Sequence, residues 1–63
     1  MKKYHVLEIS KNRILFLSKD GFTDNKRQAI AYTEEEAERI TSEYNKNFGD
    51  LARNHYNFIE IKT

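Results

Sequence analysis

The side chains able to do chemistry in this chain are few and widely spaced. His5 and His55 stand 50 positions apart, and neither has a second histidine at the i+3 or i+4 spacing that puts two metal ligands on one face. The absence of cysteine removes thiol catalysis, disulfides and thiolate metal sites at once. Ser10, Ser18 and Ser42 lie in no nucleophile-elbow motif. Glu34, Glu35, Glu36 and Glu38 crowd four carboxylates together. The first three fall where a helix start favours negative charge, and the fourth reads as a solvated side chain. With Gly21 and Gly49 as the only glycines, there is no phosphate-cradling loop. The expectation is a protein without catalytic residues, cofactor or metal.

Binding is the remaining class of function. Residues 1–27 carry seven basic and three acidic side chains, whereas residues 28–63 carry four basic and seven acidic; the whole chain is at +1. Lys11, Arg13, Lys19, Lys26 and Arg27 lie near Tyr4, Phe16 and Phe22. Basic groups beside aromatics on a sheet suit single-stranded nucleic acid. Against that reading stand the small net charge, the scatter of the cations to both ends of a hairpin, and the lack of a nucleic-acid-binding motif. Nucleic acid is therefore the alternative partner, and protein the leading one.

The elements that must position these residues are legible in outline. Tyr4 to Ser10 and Arg13 to Ser18 are rich in β-branched and large apolar residues and flank Lys11-Asn12, which reads as a hairpin with a two-residue turn. Lys19-Asp20-Gly21 ends the second strand, and Thr23-Asp24 offers an N-cap to a single turn over Asn25 to Gln28. Ala29 to Tyr32 is either a short third strand or a loop. Thr33-Glu34-Glu35-Glu36 has the form of a capping box. Beyond it Ala37, Ile40, Tyr44, Phe48 and Leu51 form one helical stripe, with the helix ending between Phe48 and Arg53. Tyr56 to Lys62 alternates as a closing strand. The fold class is α+β: a small antiparallel sheet packed on one main helix, a single domain over residues 1–63.

At 63 residues, such a domain buries only about 60% of the surface its unfolded chain exposes. No apolar run approaches the roughly 20 residues of a membrane span, and no apolar signal-peptide core follows Met1-Lys2-Lys3. A cytoplasmic protein is the expectation, and the absence of cysteine agrees with it.

The strand faces carry the most information. With a two-residue turn, Ile9 opposes Ile14 and Leu7 opposes Phe16; a bulged three-residue loop would shift the pairing by one and swap members between the faces, leaving both apolar. In the first register one face holds Leu7, Ile9, Ile14 and Phe16, joined by Ile59 and Ile61. The other holds Tyr4, Val6, Leu15, Leu17, Tyr56 and Phe58, with Glu8 among them. Both faces are apolar, and one helix can cover only one of them. Either Phe22, Ile30 and Tyr32 fold over the second face, or a partner covers it; the marginal stability of so small a core favours association, and a homodimer is the expectation beside a protein partner. Taking the helix to lie on the Leu7 face, the expected contact residues are Tyr4, Leu15, Leu17, Tyr56 and Phe58. The stretch from Tyr44 to Phe58, which interleaves aromatics with asparagine, is a further contact candidate.

Gly21-Phe22-Thr23-Asp24, Ala29 and Tyr32-Thr33-Glu34-Glu35-Glu36-Ala37 resemble a pattern found in short bacteriophage and prophage reading frames. In these a hairpin, a Gly-aromatic-Thr-Asp turn and a capped Glu-Glu-Ala helix precede a last strand. The resemblance covers about residues 4 to 44 and involves fold-forming positions, not chemistry. It implies a non-enzymatic protein that binds and modulates or inhibits a host protein, such as a defence, replication or transcription factor. No site residues transfer with it.

Overall fold

The computed structural model describes residues 2–49 and 55–62. Strands β1 (Tyr4–Ile9) and β2 (Ile14–Ser18) form the hairpin, closed where the Ser10 N–H donates to the Arg13 carbonyl at 2.9 Å. The register is the one a two-residue turn dictates, with Ile9 opposite Ile14 and Leu7 opposite Phe16. A third strand, β3 (Gly21–Thr23), pairs antiparallel with β2. It lies in the segment that the sequence suggested as turn and N-cap. Gly21 has a φ of 116°, a conformation that glycine reaches without the steric cost of a Cβ. The closing strand β4 (His55–Glu60) pairs antiparallel with β1, giving the sheet order β3-β2-β1-β4.

A 3-10 turn over Lys26–Gln28 follows β3, capped by Asn25, whose side chain accepts from the Arg27 N–H. The cap is thus Asn25 rather than Thr23 or Asp24. Thr23 supports it one step back, its hydroxyl accepting from the Asn25 N–H at 3.1 Å.

Residues 29–32 then act as a wedge. The β1–β2 ladder ends at Leu7 and Phe16, and beyond that point the two strands bond to this segment. Ile30 N–H donates to the Leu17 carbonyl at 3.1 Å, while Tyr4 and Tyr32 exchange two backbone bonds at 2.8 Å each. Backbone groups that a splayed hairpin would leave open are satisfied in this way.

Helix α1 (Glu34–Tyr44) begins at the expected capping box. Glu36 N–H donates to Thr33 Oγ1 at 3.2 Å, and Thr33 N–H donates to Glu36 Oε1 at 3.0 Å. Those bonds from Thr33 hold the Glu36 carboxyl below the usual carboxylate range. From Asn45 to Gly49 the helix continues as a π segment. The wider turn shifts the phase of the stripe, so Phe48 is 50% exposed. Leu51, and the end expected as far as Arg53, lie outside the described residues.

The helix lies on the face that carries the even-numbered residues of β1. Tyr4, Val6, Leu17 and Ala37 form the buried core, with Phe22, Tyr32, Ile40, Tyr44 and Phe58 packed against it. Val6 is 0% exposed. Ala37 is also fully buried, and its small side chain lets α1 approach the sheet closely.

Candidate functional site

Because side chains alternate along a strand, placing α1 over Tyr4, Val6 and Leu17 leaves the Leu7 face without a helix among the described residues. The expected faces are therefore exchanged. Tyr4, Leu17 and Tyr56 are buried beneath the helix, while Leu15 and Phe58 are half-buried on the same side. None of the five offers a free docking surface. The physical reason is aromatic: Tyr44 of α1 packs against Phe22 and Tyr56, with ring centroids 5.3 and 5.0 Å away. Tyr4 and Phe58 meet edge-on at 5.6 Å. The cluster of tyrosine and phenylalanine rings on this face meets Tyr44 of the helix stripe, whereas the opposite face is mainly aliphatic around Phe16 and His5.

Glu8, the polar member of the covered face, is satisfied there by the Tyr56 hydroxyl, which donates to Oε2 at 2.9 Å. Burial first, then the hydrogen bond to Glu8 and its charge, push the Tyr56 phenol up to about 12. Burial is also the leading cause of the raised phenols of Tyr4 and Tyr32.

The open face is the candidate site. Ile14 and Ile59 are 54% and 52% exposed. Together with His5, Leu7, Phe16 and Ile61 they line a shallow hollow of about 520 Å³ bordered by Lys26, Glu60 and Lys62. The floor is firm. His5 and Leu7 are buried, and the His5 ring meets Phe16 edge-on at 5.8 Å. His5 Nδ1 lies 3.1 Å from the Ile30 carbonyl. A carbonyl only accepts, so Nδ1 carries the proton and the ring is held against the wedge.

The outer edge of β4, by contrast, is partly blocked against an added strand. Ile61 N–H donates to the Lys3 carbonyl, so the antiparallel alternation turns the N–H groups of Tyr56 and Phe58 outward. Asn45 Oδ1 accepts the Tyr56 N–H at 2.8 Å, and Asn45 Nδ2 donates to the Tyr56 carbonyl at 3.0 Å. The Phe58 N–H is taken at 2.8 Å by the side chain of Asn57. Two asparagines of the stretch that suggested a contact surface therefore block an edge instead. At the opposite side, β3 is only three residues long, which limits its use as a template.

The five basic candidates do not form one surface. Lys11 and Arg13 flank the β1–β2 turn, Lys19 sits in the β2–β3 turn, and Lys26 and Arg27 lie in the 3-10 turn. Only Lys26 borders the hollow.

No signal local in sequence pointed to Asn45 or to the wedge, whose partners lie 11 and more positions away. The alternation of β1, β2 and β4 did show two apolar faces.

Fold and site define a two-layer α+β protein with one sheet face packed on a helix and the other open. In comparison with known proteins, no family model, curated protein or solved structure matches the chain. Among the described residues, no helix is long and apolar enough to cross a membrane.

Proposed function

We propose that this is a non-enzymatic protein-binding module that acts by stoichiometric association through the open face of its sheet. The observation that carries the reading is the pair Ile14 and Ile59. Both are more than half exposed on a face whose neighbours are Leu7, Phe16 and Ile61. A contiguous apolar patch costs free energy while it faces water, and such patches mark contact surfaces. The blocked β4 edge supports the face over strand addition as the mode of contact. The resemblance to short phage reading frames supports a host protein as the eventual target, and a cytoplasmic setting with it.

The test is retention of proteins by immobilised chain. Ile14→Lys and Ile59→Lys should abolish retention, while Glu38→Lys on the outer side of α1 should preserve it. Retention that ignores both open-face substitutions would contradict the reading.

A further inference from the structure

We propose that the hollow in the open face is a binding site for a single-chain anionic amphiphile, a fatty-acid carboxylate, with its head at the Lys26 and Lys62 end and its chain over Leu7 toward Ile14. The inference goes beyond protein contact: it concerns what the hollow itself can hold, and a ligand there competes for the same face.

Three observations converge on it. The first is size and lining. A hollow of about 520 Å³ falls within the roughly 300–1,000 Å³ of small-molecule sites, which are mostly apolar with a few polar groups that fix orientation.

The second is polarity, which changes along the hollow from one end to the other. In the strand register His5 stands opposite Ile59, Leu7 opposite Phe16 and Ile9 opposite Ile14. His5 and Ile14 therefore mark opposite ends, about 13 Å apart along β1 at the rise of an extended strand. Both lysines of the border fall at the His5 end. Lys62 follows the Tyr4–Glu60 pair, and the Lys26 carbonyl accepts from Ala29, which bridges to Ser18 beyond the end of the β1–β2 ladder. Both are exposed. Glu60 borders the hollow too, but it stands opposite Tyr4. Its carboxylate therefore belongs to the α1 side of the sheet, where its charge acts on the Tyr4 phenol. One end thus attracts an anion, and the other, at Leu7 and Ile14, offers apolar side chains.

The third is the buried histidine. His5 is 8% exposed, lines the hollow and commits Nδ1 to the Ile30 carbonyl, while its Nε2 has no hydrogen-bond partner among the described residues. A carboxyl group suits that nitrogen in either charge state. A protonated imidazole donates to a carboxylate, and a neutral one accepts from the acid. An alkyl chain also suits the floor better than an extended peptide does. The Leu7 backbone is paired on both sides, with Phe16 and Asn57, so a peptide laid across it finds no partner there for its own N–H and carbonyl groups.

Nuclear magnetic resonance titration of the full chain with decanoate tests this, beside decyltrimethylammonium, which has the same tail and the opposite head charge. Decanoate should give saturable shifts at His5, Leu7, Phe16 and Ile59, the His5 Nε2 resonance among them. Octanoate should bind more weakly, by up to roughly fourfold for each methylene lost. Lys26→Glu combined with Lys62→Glu, folded by circular dichroism, should weaken decanoate by roughly tenfold and strengthen the cationic amphiphile. No saturable shift on this face, equal binding of the two amphiphiles, or indifference to the charge reversal overturns the inference. Loss of protein retention in Ile14→Lys and Ile59→Lys without decanoate binding overturns the inference and leaves the functional reading standing. Decanoate binding with retention that ignores both substitutions does the reverse.

Discussion

The carboxamide of Asn45 makes to Tyr56 both backbone hydrogen bonds that a neighbouring strand would have made. It accepts the N–H at 2.8 Å and donates to the carbonyl at 3.0 Å. One side chain at the start of the π segment thus fastens the helical arm to β4 and covers the edge at Tyr56. Asn45→Ala should lower stability by about 1–2 kcal/mol, because it leaves a part-buried N–H and carbonyl without their partner. Denaturant unfolding measures the loss. The same variant should aggregate faster on warming than an equally destabilised core variant, because its edge is open.

The exchange of faces makes two serine substitutions behave oppositely. Leu17→Ser removes a buried side chain beneath α1 and should cost about 2–4 kcal/mol, enough to unfold much of so small a domain. Ile59→Ser alters a half-exposed position and should leave the monomer within about 0.5 kcal/mol of wild type. Its effect should fall on association. Thermal unfolding at low concentration separates the two.

What the sequence disclosed and what it did not follow from the range of the interactions concerned. The hairpin was legible because Lys11-Asn12 and the flanking alternation are contiguous, but its register was not, since a two-residue turn and a bulged three-residue loop fit the same residues. The capping box was legible because Thr33 and Glu36 are three residues apart. The covered face was not. Period-two alternation puts Leu7 and Ile9 on one side and Val6 and Tyr4 on the other with equal apolar weight. The choice between them is made by Tyr44 meeting Phe22 and Tyr56 across the fold. Strand β3 was hidden by Lys19-Asp20-Gly21, a turn signal that also begins a three-residue strand, and the wedge at Ala29 to Tyr32 by its bonds to two different strands.

Alkaline pH should expose the Glu8–Tyr56 pair. The Tyr56 phenol ionises near 12 in the folded chain, against about 10 when unfolded. Between these values the folded state holds the proton more tightly. The contribution to stability is therefore complete below pH 10 and is lost as pH rises toward 12. Ultraviolet titration of tyrosinate should show a late-ionising group that Tyr56→Phe removes. That variant should also lose about 1 kcal/mol at neutral pH through the missing bond to Glu8.

Thr41 offers a gain. Its hydroxyl is buried in α1 with no hydrogen-bond partner among the described residues. Thr41→Val keeps the branched shape and removes the unsatisfied oxygen, so stability should rise by about 1 kcal/mol. At this size of domain that is roughly 4–8 °C in melting temperature. A fall would mean that the hydroxyl has a partner in solution.

The most direct measurement of the open face as a contact surface is retention of proteins by immobilised wild-type chain beside its Ile14→Lys and Ile59→Lys variants. Retention should be lost in both variants while circular dichroism shows each still folded. Retention unchanged in both folded variants would contradict it.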